Sequence, residues 1–487
     1  TEDTPEDLAK LPLLGREDLE RRIKPIGGKI VPCGRQGGPD IFFSDVFTSG
    51  IIYYQLYFDA GDIAEEDLPY FGLLCRALGL FDTQDHTYSA LTNLVGIETG
   101  GMSIDPAVFT DHNGSPEFGL CLRAGVKVFS DHAGAPFPIL EEVICRTDFS
   151  SDKRLKEVLD EIRYSLQSAL VSAGHTAAIL RAGSGHNRSM HARELYSGIG
   201  FYRFIESAAA DFDNKKAELR EGMKRVAGMI FAPERMMAQV TCGSEDFEAV
   251  PGLVAAFADT LAAWQTGTLG HEPEAGPLPA FGKRRSEYSL SKKNEGFQTP
   301  AGISYVACTG NFREAGCDYS PVLAVLDTIL SYDYLWGRVR VRGGAYGAMC
   351  GFRRDGEGYF VSYRDPNLAE TLEIYRELAD YVEGFDVSER DMTKFLIGTL
   401  SSLDRPLQPR EIGDRDFAAW IHGTTEAEAQ ADRDRILAVS PEDIRALAPL
   451  MRAICENGDI CVIGNESKIA ENSGIFDEYG PLFSQKG

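Results

Sequence analysis

The chain lacks every short motif that would give it a self-contained reaction. Its eight histidines include no H-E-x-x-H or H-x-x-E-H pair. The nearest approach, His191-Ala-Arg-Glu194, is followed by Leu195 where a second histidine would be needed. One imidazole and one carboxylate fall short of the three or four ligands that zinc takes, so His191 reads as a surface or capping residue. The Asp-His dipeptides at 85–86, 111–112 and 131–132 read as loop polarity. No G-x-S-x-G elbow, cysteine-protease signature, P-loop or G-x-G-x-x-G is present, which removes the familiar hydrolase and nucleotide-enzyme readings. The ten cysteines contain no C-x-x-C and sit mostly in apolar runs, so buried, reduced thiols and a cytoplasmic setting are expected. No apolar run could span a bilayer. Basic residues are scarce: 49 against 74 acidic ones, a net charge of −25. Such a surface repels phosphate backbones and anionic lipid and favours peptides with basic residues.

What is present is an ordinary globular composition, 43% hydrophobic and 25% charged, in 487 residues. That length allows two to four domains at roughly 100–200 residues each. The acidic start, Thr1-Glu-Asp-Thr-Pro-Glu-Asp7, is neither a signal peptide nor an initiator methionine. The sequence therefore reads either as a trimmed chain or as one piece of a longer polypeptide. Residues 1–24 read as a linker or hinge remnant. Residues 51–58 read as a strand, 64–81 and 88–99 as helices, and 101–109 with 117–129 as paired strands. A helix is expected over 151–172, with Leu155, Val158, Leu159, Ile162 and Leu166 on one face, then a helical region over 190–231 and a strand at Met237–Cys242. Glycine and proline crowd residues 267–285, a linker by composition. Beyond it, Asp355-Gly356 signals a hairpin between Tyr346–Arg353 and Gly358–Arg364. Asn367, Ser388 and Ser440 are expected to open helices.

The two parts look like copies. A helix leads into Gly100-Gly101 and then paired strands, and the same order recurs at Gly343-Gly344, an offset of 343 − 100 = 243. Asp148-Phe-Ser150 matches Asp386-Val-Ser388, at 388 − 150 = 238. The expected architecture is α+β, with homologous domains over 25–266 and 286–487, each a mainly antiparallel sheet against long helices.

One segment could carry chemistry: Trp336-Gly-Arg338-Val-Arg340-Val-Arg342-Gly343-Gly344-Ala345-Tyr346-Gly347. Its glycines let the backbone bend and approach another chain closely. Arg340 offers a planar fork of donors, and Tyr346 a phenolic donor that could face an oxyanion. If 336–342 end a helix, Arg338 and Arg342 share a face and Arg340 points elsewhere. The spacing alone favours the plainer reading, a helix C-terminus with solvated arginines followed by a glycine-rich strand start. The offset of 243 places Ile97 and Ser103 opposite Arg340 and Tyr346, so the fold itself does not require that pair.

This segment resembles the insulinase/pitrilysin family of zinc metallopeptidases, in its presequence-protease branch. Further stretches resemble the same C-terminal half: Leu11-Pro-Leu-Leu14, Leu68-Pro-Tyr-Phe-Gly72 with Glu98-Thr-Gly-Gly-Met-Ser103, Ser197-Gly-Ile-Gly-Phe-Tyr-Arg203, and Phe395–Asp404 followed by Pro406. The resemblance implies half of a clamshell around a peptide chamber, with the inverted zinc motif on an N-terminal half absent from this sequence. No metal is expected in this chain, and zinc is expected on that other half, whether in the same polypeptide or a separate subunit. Arg340 and Tyr346 would complete the catalytic site, and Gly343, Gly344, Ala345 and Gly347 would meet the backbone of an unstructured peptide. The expected function is the C-terminal half of a zinc-dependent metalloendopeptidase, inactive alone. A catalytically inert scaffold subunit of the same fold is the alternative. No nucleic-acid or membrane partner is expected.

Overall fold

The computed structural model describes residues 4, 7, 10, 14–112, 115–269 and 288–484. Nearly all of the 267–285 linker, and Leu11–Leu13 of the quoted stretch, lie outside the described residues. Among the described residues, twelve strands form two six-stranded sheets. They are β1 (Lys29–Pro32), β2 (Asp40–Asp45), β3 (Ile51–Asp59), β4 (Met102–Thr110), β5 (Phe118–Phe129) and β6 (Met236–Cys242), then β7 (Glu295–Thr299), β8 (Tyr305–Asn311), β9 (Gly347–Phe352), β10 (Glu357–Tyr363), β11 (Asp459–Asn465) and β12 (Glu478–Pro481).

The sheet orders expose the duplication. The first runs β1-β2-β6-β3-β5-β4 and the second β12-β7-β11-β8-β10-β9. Adding five to each strand number of 2-6-3-5-4 gives 7-11-8-10-9. Directions agree as well: β2/β6 and β7/β11 are parallel, and the other pairs within these five-strand cores are antiparallel. Only the outermost strands differ, β1 being antiparallel to β2 and β12 parallel to β7. The protein is α+β with two homologous domains.

Each sheet is amphipathic because side chains alternate along a strand. In β3, Ile52, Tyr54, Leu56 and Phe58 are fully buried against helices. Tyr54 meets Phe137 edge-on at 5.3 Å, and Phe58 meets Phe231 at 5.0 Å. The helix Asp152–Ser172 starts at Ser151, whose hydroxyl accepts the Arg154 N–H, and buries Leu155, Val158, Leu159, Ile162 and Leu166. The expected 190–231 region is three helices, Arg188–Ser197, Ile199–Ala210 and Phe212–Ile230, broken at Gly198 and Asp211. Burial supplies the second core through Val306, Cys308, Phe360 and Val462 of the sheet against Leu372, Tyr375, Met392 and Leu396.

The compact units exchange segments, unlike the contiguous halves expected from the sequence. The first unit is Ile26–Lys293 with Leu407–Thr424; the second takes the segment ending at Pro25, Asn294–Pro406 and the chain from Thr425 onward. The exchanged helix, Pro409–His422, packs on the face of the first sheet that carries Phe42, Tyr57 and Met237. Its Phe417, 1% exposed, stacks on Tyr57 at 4.8 Å and meets Phe42 at 5.4 Å. Conversely, the described residues read as linker before position 25 are tied to the second unit. The Arg16 guanidinium donates to the Leu437 and Val439 carbonyls, and Arg433 donates to the Glu20 carbonyl.

Candidate functional site

The helix that begins at Leu323 changes pitch before it ends. Residues Leu323–Ile329 are α-helical; Leu330–Tyr334 and Trp336–Arg342 are π-helical. Such widened turns are rare and frequent at functional sites. The chain then reverses sharply. The N–H groups of Gly343 and Gly344 donate to the Arg338 and Arg340 carbonyls, both at 3.0 Å. A Cβ at Gly343 would stand 2.5 Å from the Val339 carbonyl oxygen, and Gly344 has φ +81°, so both positions favour glycine. Ala345 turns its methyl inward, and Tyr346 docks its N–H on the Tyr363 carbonyl at 3.0 Å. Gly347 opens β9 opposite Tyr363.

This turn brings Arg340 and Tyr346 together. The Arg340 guanidinium carbon lies 3.9 Å from the Trp336 ring centroid and 5.9 Å from that of Tyr346, both within cation–π range. Among the described residues no carboxylate pairs with Arg340. Its neighbour behaves differently: Arg338 is ion-paired with Glu377 and rests on the Tyr334 ring at 4.6 Å. Arg340 thus points away from Arg338, as the helical spacing suggests. Tyr346 is 68% exposed, and its ring meets Tyr363 edge-on at 5.8 Å. Tyr332, Trp336 and Val341 are exposed beside it. The result is an accessible, uncompensated guanidinium held against an aromatic face, next to an accessible phenol.

Two contributors escaped the sequence reading. Trp336, four residues before Arg340, is the ring beneath it; the i, i+4 spacing was its only signal. Asn367 was expected to cap a helix, and the structure corrects this. Its side-chain amide donates to the Gly343 carbonyl at 2.6 Å and holds the turn. The helix starts two residues later at Ala369, and Asp365 accepts from the Asn367 N–H and the Thr371 hydroxyl. The expected caps at Ser388 and Ser440 are present. Behind β9, the Asp327 carboxyl takes up a Cys350 thiol contact at 3.0 Å, and burial raises its pKa above the usual carboxylate value.

No three His, Cys, Asp or Glu side chains converge as metal ligands among the described residues. His191 meets only one carboxylate, Glu65, at 3.1 Å, and its ring lies beside Tyr288. His86 contacts Glu142 at 2.9 Å, and His112 stacks on His422 at 3.7 Å. None of the ten cysteines forms a disulfide. Among the described residues no helix is long and apolar enough to cross a membrane.

Comparison with known proteins places this architecture. The family of domains associated with peptidase M16, subfamily C, matches residues 1–207, and the presequence-protease C-terminal domain matches residues 294–466. The chain belongs to the M16 peptidase family, the insulinase/pitrilysin peptidases, and corresponds to the C-terminal half of its presequence-protease branch. Protein HypA of Clostridium perfringens is 32% identical over 477 residues, covering 98% of this chain and 47% of HypA. Presequence protease 1, chloroplastic/mitochondrial, of Arabidopsis thaliana is 27% identical, covering 98% of this chain and 43% of that protein. The chain therefore spans about half the length of the curated relatives it matches. A peptidase M16 inactive domain from Pseudomonas fluorescens shares the fold at 14% identity, with a TM-score of 0.59 and coverage of 94% of this chain and 100% of that one.

Proposed function

We propose that this chain is the substrate-holding half of a zinc metalloendopeptidase that degrades unstructured peptides in a closed chamber, and that it completes a site whose metal lies on an N-terminal half. The carrying observation is the unpaired Arg340 guanidinium stacked on Trp336 beside the exposed Tyr346 phenol. The duplicate unit has Ile97 and Ser103 at these positions, so the pair is an addition to the fold rather than part of its support. Among the described residues no set of side chains fits zinc, and no step here runs through the metal; the other half would supply the Lewis acid and the attacking water. Arg340 donates to carbonyl oxygens of the bound peptide. Tyr346 donates its phenolic proton to the oxyanion of the tetrahedral intermediate, a contact stronger in the transition state than in the ground state. Enclosure from water strengthens both contacts. A cytoplasmic location is proposed as well, resting on the ten thiols without a disulfide; the names of relatives place those proteins in chloroplasts or mitochondria.

The test mixes this chain with its N-terminal, H-x-x-E-H-bearing counterpart and zinc, and follows cleavage of an unstructured peptide. Cleavage is expected only in the mixture. Tyr346→Phe should lower kcat about 10²- to 10³-fold, the range for losing one oxyanion donor. Unchanged turnover in both Arg340→Ala and Tyr346→Phe would remove the catalytic role and leave an inert scaffold subunit. Cleavage by this chain alone would refute both readings.

A further inference from the structure

The first unit carries a polar hollow where the duplication would place a counterpart of the Arg340/Tyr346 turn. It lies beside Gly100-Gly101, encloses about 290 Å³, and is bounded by β3, β4, β5 and the exchanged helix. The strand register builds its floor. Ser103, Gly125 and Gln55 stand side by side across β4, β5 and β3, and Tyr53 is opposite Lys127. The glycine in mid-strand opens the space: a Cβ at Gly125 would stand 2.7 Å from the Gln55 carboxamide and 3.2 Å from the Ser103 hydroxyl. Interior strand glycines often mark such a close approach of a ligand or chain.

Two cations line this hollow. Arg410 reaches in from the exchanged helix. With the Gln55 amide oriented to satisfy its neighbours, the Arg410 Nε and Nη2 donate to its oxygen at 2.9 and 3.2 Å, and Asp414 lies 3.5 Å away. Asp414 is shared, accepting from the Gln239 amide at 2.9 Å. Lys127 lays its aliphatic stem across Gly100, and among the described residues its ammonium has no acidic partner. The hollow therefore holds two positive groups against one shared carboxylate, in a chain of net charge −25. The Tyr53 ring and the Lys127 stem supply an apolar wall; Met102 and Val126 border the hollow from positions whose side chains alternate to the other sheet face.

We propose that this hollow is a subsite for the free C-terminal carboxylate of a peptide. Lys127 and Arg410 receive the carboxylate, the Ser103 hydroxyl is within the same wall for the last peptide group, and the apolar wall takes the terminal side chain. A lone inorganic anion would leave that wall unused. A polyanion would meet the repulsion of the acidic surface around it. The choice of a peptide rests on the peptidase reading above, but the subsite uses neither Arg340 nor Tyr346.

Isothermal titration calorimetry on this chain at low salt tests it. The probes are N-acetyl-Ala-Ala-Phe as the free acid, its C-terminal amide, the amide N-acetyl-Ala-Asp-Phe-NH2, and inorganic phosphate. The free acid should bind at least about tenfold more tightly than its amide, since charge-assisted hydrogen bonds are involved. Lys127→Gln, at an exposed position that leaves the fold intact, should erase that preference, as should Ser103→Leu by filling the hollow. Arg340→Ala should leave it unchanged. Equal affinity for acid and amide, or an unaltered preference in Lys127→Gln, would overturn the subsite. Phosphate or the internal-aspartate amide binding as well as the free acid would also overturn it, by showing a general anion site. The two readings fail separately: loss of acid preference leaves the Arg340/Tyr346 turnover test standing, and unchanged turnover in those variants leaves the acid preference standing.

Discussion

Removing the Trp336 ring should weaken catalysis through Arg340 and through nothing else. The guanidinium rests 3.9 Å from the ring centroid and has no carboxylate partner among the described residues, so the indole is its principal restraint. Trp336 is 44% exposed. A cation–π contact is worth about 0.5–1 kcal/mol at an exposed site and about 2 kcal/mol once water is excluded. Trp336→Ala in the reassembled peptidase should therefore lower kcat/KM by about 2- to 30-fold, the larger loss applying if the site is enclosed during turnover. Trp336→Phe keeps a ring face and should retain most of the activity. The decisive assay is a double-mutant cycle: in an Arg340→Ala background, Trp336→Ala should cost almost nothing further, because the two act as one unit. Thermal unfolding of each variant checks that the fold is unchanged. A full, additive loss in both backgrounds would show that Trp336 acts on its own, and would refute the positioning argument.

Phe417→Ala should destabilise the first unit by about 3–5 kcal/mol in urea unfolding, because a nearly sealed ring between Tyr57 and Phe42 leaves a cavity; a loss below about 1 kcal/mol would contradict the docking of the exchanged helix. Asp327→Asn tests the buried carboxyl. Burial raises the Asp327 pKa, so its contribution is fully present below the unfolded value near 3.9 and is lost as pH rises through the folded value. The variant cannot ionise, so its stability relative to the parent should increase from pH 4 to pH 7, and a flat difference would refute the assignment. Gly344→Asn should fold nearly normally, whereas Gly344→Val should lose about 1–2 kcal/mol, since φ is +81° and branched side chains resist that region; equal melting temperatures would argue against the turn.

Much of the fold was readable because its signals are local. The strand at 51–58, the hairpin around Asp355-Gly356 and the helix over 151–172 follow from alternation, turn chemistry and a single apolar face. The repeated Gly-Gly pointed to the duplication, which the matched sheet orders display in full. The approach of Arg340 to Tyr346 was suggested by spacing and by family resemblance. Three things were not readable. One is the docking of Phe417 and Trp420 on the first sheet, whose strands lie more than 150 residues earlier in the chain. A π-helix uses the same residue types as an α-helix, so the stack of Arg340 on Trp336 had no compositional mark. Asn367 satisfied a capping pattern while its amide was engaged by the Gly343 carbonyl, a contact set by tertiary structure.

The exchanged helix sets an order of events during synthesis. The last strand of the first sheet ends at Cys242, and the segment that covers Phe42 and Tyr57 begins at Leu407, 407 − 242 = 165 residues later. At about 5–20 residues per second, the ribosome needs roughly 8–33 s to deliver it. Throughout that interval Phe42 and Tyr57 on the nascent first lobe await their cover. Until then that surface is open to other apolar partners, and a gene cut between the two repeats would release a first unit without its covering helix.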